Sequence, residues 1–446
     1  MTWREAAGLY RKYVNPDYVD LLEAFDYGRS FVRAKGTELY DDEGVKYLDF
    51  LAGFGVHNLG HNPPSVIEAI QRVLASDGAS MLNIDAPAAV SRLAERLTNL
   101  THPDLCRTVF ASSGAEAVDV AIRTVRAATG RIPIVACHNG YHGLTAGAIS
   151  LLGNDRLREP FGPLLPDVAR IPFGDVAALE ALCRDQRPAA FFVEPIQAEG
   201  GVVIPDATYL VQAHKVCRES GCLLVVDEIQ TGLGRTGSMF ATDFRDVVPD
   251  ILLLGKALSA GLVPVSAAMM TLDVWRRAFS GPERCLLDSS TCAGGLLAMT
   301  AGLETINALE RMELVDSARR QGQYLAEGLK RLAQKHQVIR EIRGAGLLIG
   351  VEFNEPAGLL AKAVPAWVRE GLYAYVISAR LLRDHRIVAQ PCSLARNVLR
   401  VEPPLIVSAG EIDYFVKALD ETLTACPSHN SATFAAFRKT VLGGRL

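Results

Sequence analysis

Four continuous apolar runs constrain this chain more than any other feature: Ile132–Cys137, Ala190–Val193, Cys222–Val226 and Ile251–Leu254. None alternates, as expected of strands buried on both faces. Helical stretches such as Tyr209 to Ser220 lie between them. Strand, helix and strand in repetition predict an α/β fold with a mainly parallel sheet and helices on both sides. The chain has 446 residues, above the roughly 250–300 at which one core stops growing, so a second domain is expected. From about Thr300 the texture changes. A long amphipathic helix is predicted from Gly302 to Gln334, broken near Leu314. Strand signals follow at Leu347–Phe353, Tyr373–Ile377 and Val398–Val401, with a last helix from Glu411 to Thr424. This reads as a smaller α+β domain.

Residues 1–35 read as helical or irregular, and a hairpin runs from Glu38 to Phe50 around Asp42-Glu43-Gly44. The expected division is 1–60 as an N-terminal segment joining the small domain, 61–300 as the large domain, 301–426 as the small domain and 427–446 as a polar tail. Hydrophobic residues make up 49% and charged residues 22%, a globular composition that excludes disorder along most of the chain. The net charge of −4 gives no general attraction to nucleic acid or to an anionic membrane. The longest apolar window, Ile251 to Met270, contains Lys256, Gly255, Gly261 and Pro264, so it does not read as a membrane span. Nine cysteines stand singly with no C-x-x-C pair. They are expected to be free thiols in a reducing, cytoplasmic setting. Met-Thr-Trp-Arg-Glu leads into mixed charge, not into the apolar core of a signal peptide.

In an α/β sheet, ligands bind at the carboxyl ends of strands. The first run is followed by His138, Tyr141 and His142, the second by Glu194 to Glu199, the third by Asp227-Glu228-Ile229-Gln230 and the fourth by Gly255-Lys256. Four strands therefore aim an aromatic, carboxylates, an amide and a lysine at one edge. A fifth element, Phe110-Ala-Ser-Ser-Gly-Ala-Glu-Ala117, opens a helix with apolar residues at Val118, Ala121, Ile122 and Val125. Ser113 is a natural N-cap, Gly114 lets a ligand approach the backbone, and Glu116 has capping-box spacing. Such a terminus can cap a helix and no more, or can bind a phosphate.

Lys256 is the decisive residue. A lysine after an apolar run either snorkels to water or is desolvated with a lowered pKa, able to form a Schiff base. Asp227 at a neighbouring strand end could hold a positive charge. A lysine Schiff base, a carboxylate facing a pyridinium nitrogen and a phosphate site are together the requirement of pyridoxal phosphate chemistry. Gly232-Leu-Gly-Arg-Thr-Gly237 matches G-x-G-x-x-G, but it neither follows a strand directly nor opens a clear helix, so it does not read as a dinucleotide site. His138 and His142 have a glycine between them and no third ligand nearby, so no metal is expected.

The ordered motifs Ser-Ser-Gly-Ala-Glu-Ala, Gly-Tyr-His-Gly, Glu-Pro-Ile-Gln-Ala-Glu-Gly-Gly, Val-Val-Asp-Glu-Ile-Gln-Thr-Gly-Leu-Gly-Arg-Thr-Gly, Leu-Gly-Lys-Ala-Leu and Leu-Arg-Val-Glu-Pro-Pro-Leu resemble those of the class III, or ω-type, aminotransferases. These are pyridoxal 5'-phosphate enzymes of fold type I. The resemblance spans roughly residues 30–425. Phe54–His61 and Glu159–Pro166 look closest to the putrescine and ornithine branch. By this resemblance Lys256 would carry the cofactor as a Schiff base and shuttle the substrate proton, and Asp227 would pair with the pyridine nitrogen. Tyr141 would stack on one ring face, Ile229 would pack on the other, and Gln230 would lie near the phenolic oxygen. Ser113, Gly114 and Ala115 would hold the phosphate, and His142 would join the cofactor-binding set. Thr291 would reach the phosphate from the other subunit, which implies a homodimer with shared active sites. Arg400 would bind a substrate carboxylate in a forked geometry, and Glu199 would pair with Arg400 when the substrate lacks one.

Two places depart from the family pattern. Ser112 stands where Asn is usual. In Ser290-Thr-Cys-Ala-Gly-Gly-Leu296, Cys292, Gly295 and Leu296 replace the Phe, Asn and Pro of the family loop. The implied activity is transfer of an amino group from an amine or ω-amino acid to a 2-oxo acid, 2-oxoglutarate or pyruvate, by a ping-pong route. The motifs around the lysine do not separate this from racemisation, decarboxylation or amino migration on the same cofactor, nor from a cofactor-binding protein without catalysis.

Overall fold

A computed structural model describes residues 1–82, 84–354 and 371–428. The chain divides into two compact units, Met1–Asn62 with the chain from Asp316 onward, and Pro63–Val315. The strands are, in chain order, β1 Phe31–Lys35, β2 Glu38–Asp41, β3 Lys46–Asp49, β4 Arg107–Ala111, β5 Ile134–Cys137, β6 Val168–Ile171, β7 Ala190–Val193, β8 Leu223–Asp227, β9 Ile251–Leu254, β10 Ser266–Met270, β11 Ile339–Ala345, β12 Leu348–Phe353, β13 Ile387–Val388, β14 Gln390–Pro391 and β15 Val398–Val401.

The large unit is built on one seven-stranded sheet, ordered β4-β10-β9-β8-β7-β5-β6. Strands β9, β8, β7, β5 and β6 pair in parallel, while β10 is antiparallel to both of its neighbours. β4 therefore runs in the same direction as the parallel set. Every residue of β5, β7, β8 and β9 is buried, which is why these strands read as unbroken apolar runs. On one face Ala136, Phe192, Val225, Leu253 and Ala268 pack with Ala121, Ile122 and Val125 of the helix Gly114–Thr129. Full burial of each Val, Leu, Ile or Phe side chain stabilises the fold by roughly 1.5–3 kcal/mol. The helix Tyr209–Ser220 lies where its spacing predicts, packed on the helix Val176–Gln186 and on β8.

In the small unit β11-β12-β15-β14 form an antiparallel sheet, and β1-β2-β3-β13 form a second, mixed sheet in which β13 pairs in parallel with β3. The hairpin expected over 38–50 is the β2–β3 pair. The long C-terminal helix is two, Leu296–Arg311 and Leu314–Lys335, and the break falls where expected. The first of them packs in the large unit on the helices Pro64–Leu74 and Ala88–Leu100. One element needs correction: Tyr373–Ile377 is not a strand but part of the helix Leu372–His385. Leu372-Tyr-Ala-Tyr-Val-Ile is a short apolar run, and periodicity cannot separate a buried strand from a buried helix over that length. Its buried residues include Tyr373, Ala374, Ile377, Ser378, Leu381 and Leu382, which have helical spacing. Apart from Pro427 and Ser428, the expected tail lies outside the described residues. Among the described residues no helix is long and apolar enough to cross a membrane.

Candidate active site

The carboxyl ends of β4, β5, β7, β8 and β9 share one edge of the large sheet, as follows from the pairing above. Ser113, just past β4, caps the helix Gly114–Thr129: its side chain accepts the Glu116 N–H at 3.2 Å. Glu116 reaches back to the Ser112 N–H at 2.7 Å. Ser266, at the amino end of the antiparallel β10, donates its hydroxyl to the Ser113 carbonyl at 2.6 Å. The cap is thus held from two strands, and its remaining N–H groups carry the positive end of the helix dipole.

Two glycines shape the space beside it. A Cβ on Gly114 would lie 2.9 Å from Ile229 Cδ1. Gly143, with φ at 116°, lies against Ala115. In this way the Tyr141-His142-Gly143 turn after β5 reaches the helix terminus. Tyr141 is half-buried, and its N–H donates to Glu194 Oε1 at 2.9 Å. Burial and the nearby Glu199 charge raise the Tyr141 phenol pKa.

Asp227 ends β8. Its Oδ1 accepts the Ile229 N–H at 3.0 Å, and its Oδ2 lies 2.7 Å from His142 Nδ1. The next residue, Glu228, faces the other way, where Thr231 and the N–H groups of Ala241 and Thr242 hold it. Alternation along the chain thus separates a site carboxylate from a structural one.

Lys256 follows β9 and Gly255 and opens a single 3₁₀ turn, Lys256–Ser259. Its φ is +44°, an uncommon value for a non-glycine residue and the kind of local strain that clusters at functional sites. The Lys256 amine donates to Gln230 Oε1, an amide on the turn after β8. Gly232–Gly237 lies in consecutive turns and bends, and no helix follows it, so it lacks the context of a dinucleotide loop.

Glu199 is buried on the turn closed by the Gln197–Val203 bridge. Arg400 lies on β15 of the other unit. It is fully buried, with its Nε 3.5 Å from Glu402 Oε2 and its guanidinium 4.7 Å from the Phe54 ring centre. Thr291 is exposed on a turn before the helix Leu296–Arg311. The large unit therefore brings together Ser113, Gly114, Ala115, Tyr141, His142, Glu199, Asp227, Ile229, Gln230 and Lys256 at one sheet edge.

Sequence reasoning placed Glu194 at a strand end without assigning it a contact, and it did not link His142 to Asp227. The signal was only the position of each at the carboxyl end of a buried run. The donor set fits a phosphate-bearing aromatic aldehyde. A capped helix terminus would hold the phosphate, the lysine amine would hold the aldehyde, and a carboxylate would pair with a ring nitrogen. Gly114 and Gly143 keep Cβ atoms out of the cradle.

Comparison with known proteins agrees. Residues 26–423 match the family described as aminotransferase class-III. The aminotransferase PigE of Serratia sp. (strain ATCC 39006) is 34% identical over 92% of this chain, and the chain spans 52% of that protein's length. The ornithine aminotransferase of Toxoplasma gondii ME49 superposes with a TM-score of 0.83 at 33% identity, covering 96% of each chain. The acetylornithine aminotransferase of Elizabethkingia anophelis has a TM-score of 0.78 at 27% identity, covering 95% of this chain and 100% of its own. A second structure of the Toxoplasma gondii enzyme is described with pyridoxal phosphate partly occupying its active site. The fold is that of a pyridoxal-phosphate enzyme of fold type I. The chain belongs to the class III aminotransferases.

Proposed function

We propose that this chain moves the amino group of an amine or ω-amino acid to 2-oxoglutarate or pyruvate in two half-reactions, with ping-pong kinetics. The observation that carries the reading is the half-buried Lys256 amine, on the sheet edge that also bears Asp227. Ornithine and acetylornithine aminotransferases among the similar structures support a donor with a terminal amine. Pyridoxal 5'-phosphate, when bound, supplies an aldehyde for the amino group and a ring that takes up the electron pair released at the substrate carbon.

Lys256 Nζ anchors that aldehyde and moves the proton at the substrate carbon. Asp227 would pair with the ring nitrogen and keep it protonated. Tyr141 and Ile229 would hold the ring between them, and Gln230 would sit near its phenolic oxygen. Ser113, Gly114 and Ala115 bind the phosphate through the helix terminus. Arg400 takes the carboxylate of an acid substrate, and Glu199 adjusts the preference between substrates with and without one.

The functional unit in this reading is a homodimer, with the partner subunit's Thr291 at the phosphate. Exposed apolar residues support a second copy there. Leu286 and Leu287 precede the Thr291 turn, and Met81 and Leu82 lie on a loop that touches Gly295 and Leu296. Exposed large apolar side chains gathered on these two loops suit a protein interface. The scattered thiols suit a reducing, cytoplasmic setting.

Borohydride treatment of the holoenzyme, followed by peptide mass analysis, tests the anchor. The cofactor mass should appear on the peptide that carries Lys256, and Lys256→Ala should lower kcat by about 10³-fold. An unlabelled Lys256 would overturn the reading. Initial-rate plots that intersect for every donor and acceptor pair would overturn the ping-pong scheme.

A further inference from the structure

The turn that carries Thr291 departs from the family pattern at Gly295 and Leu296, and one distant loop, Gly78 to Met81, meets both of these residues. Gly295 is the N-cap of the helix Leu296–Arg311 and supplies no side-chain acceptor. The Asn it replaces is a strong N-cap. Leu296 is the first helical residue. The Pro it replaces has no N–H, so it leaves no donor to satisfy. Exchange of Pro for Leu adds an N–H that the helix cannot bond internally. Ser80 Oγ accepts it at 3.0 Å.

Two packing contacts lie beside that bond. A Cβ on Gly78 would lie 2.6 Å from Leu296 Cδ2, and a Cβ on Gly295 would lie 2.9 Å from Met81 Cε. The leucine side chain fills the space left by one glycine, and the methionine methyl fills the space left by the other. An Asn at position 295 would collide with Met81, and a Pro at position 296 would offer nothing to Ser80. Met81 has a φ of +57°, an uncommon value for a bulky residue and one that persists only where the surroundings hold it. Loop and helix start are matched to each other.

Thr291 is two tight turns from this latch. The Ala293 N–H donates to the Ser290 carbonyl at 3.1 Å, and the Gly295 N–H donates to the Cys292 carbonyl at 3.4 Å. Gly294, with φ at 79°, lies against Val90 of the helix Ala88–Leu100. A shift of the helix start therefore carries Thr291 with it.

We propose that Ser80 is a positioning residue for the transamination: through the Leu296 N–H it sets the Thr291 turn to meet the cofactor phosphate of the second subunit, with Met81 wedged against Gly295. The proposal rests on the assignment of Thr291 to that phosphate. Ser80→Ala removes the acceptor, and Ser80→Thr keeps it. Met81→Ala, Gly295→Asn and Leu296→Pro in one chain restore the usual cap, with room for the larger side chain at position 295.

The holoenzymes are compared for the rate of cofactor loss on dialysis, and for kcat and donor KM at saturating cofactor. Ser80→Ala should speed the loss about threefold to tenfold, the range of one neutral hydrogen bond. Its kcat and donor KM at saturating cofactor should stay within about twofold, because no group that touches the substrate has changed. Ser80→Thr should lose cofactor at close to the wild-type rate. The triple variant should also retain it, since its cap is local and its first helical residue needs no acceptor. Adding Ser80→Ala to that variant should change nothing.

Two results would each overturn the proposal. One is Ser80→Ala and Ser80→Thr losing cofactor at the same rate. The other is Ser80→Ala having the same effect in the wild-type and triple-variant chains. Thr291→Val separates the two levels. If it speeds cofactor loss while Ser80→Ala does not, only the latch is refuted; if it leaves the rate unchanged, the Thr291 assignment fails and the latch with it. Melting temperatures establish folding, and the comparison of Ser80→Ala with Ser80→Thr keeps the test decisive if the triple variant unfolds.

Discussion

Gly143 and Ala115 approach so closely that a Cβ on the glycine would lie 2.5 Å from the alanine Cβ. One residue belongs to the loop after β5 and the other to the first turn of the helix Gly114–Thr129. Their contact ties the aromatic turn of Tyr141 to the capped helix terminus at Ser113. The glycine is required twice, for its φ of 116° and for the missing side chain.

Gly143→Ala should therefore destabilise the protein by about 2–4 kcal/mol, the sum of a strained backbone and an overpacked contact. The urea midpoint checks this. Cofactor retention should fall as well, since relief of the clash pushes the helix terminus away from Tyr141. An unchanged midpoint would mean that the two segments separate easily.

Ser113→Ala removes the side-chain acceptor of the Glu116 N–H while leaving the Ser113 carbonyl on Ser266. Without cofactor, the loss should be about 1 kcal/mol, as for other N-caps. The stabilisation gained on adding pyridoxal phosphate should also shrink, read as a smaller rise in Tm. A lower baseline with a full cofactor response would leave Ser113 as a cap alone.

Glu194 makes stability fall as pH rises. Its carboxyl moves from an ordinary 4.5 to about 8 on folding, chiefly by burial. The native state therefore keeps a proton that the unfolded state has released between those values, and ΔG of unfolding declines across that window. His142, raised in the folded state, declines in the same direction above its ordinary 6.5. Glu194→Gln should flatten the curve, so that its stability relative to wild type improves by at least about 1 kcal/mol between pH 5.5 and 8. Parallel denaturation curves across that range would show that Glu194 ionises as an ordinary carboxyl.

Arg400→Gln removes a forked donor and keeps a polar side chain next to Glu402. KM for the 2-oxo acid should rise about 10–100-fold, the range of a lost charge-assisted pair. A donor amine that carries no carboxylate should change far less. Equal effects on both substrates would assign Arg400 to structure rather than to substrate choice.

The large sheet was legible because burial on both faces leaves runs with no polar interruption, as in Ala190–Val193 and Ile251–Leu254. β4, β6 and β10 gave no comparable signal. Arg107 and Arg170 break the apolar pattern of β4 and β6, and Ser266-Ala267-Ala268 in β10 is too small in side chain to stand out. The helix Leu372–His385 was mistaken for a strand because its first six residues are all apolar or aromatic. β1 is mostly exposed, so no buried face marked it.

Composition and local pattern alone determined the class of fold, the N-cap at Ser113, the strand-end placement of Asp227 and Lys256, and the motif set that resembles one enzyme family. Each of these depends on neighbours in the chain: apolar runs, cap spacing and turn residues. Only the tertiary structure joined His142 to Asp227, Tyr141 to Glu194 and Lys256 to Gln230. The members of each pair sit at or just past the ends of different strands, and their distances follow from strand order and from which glycines permit close approach. Neither property is written in the local sequence.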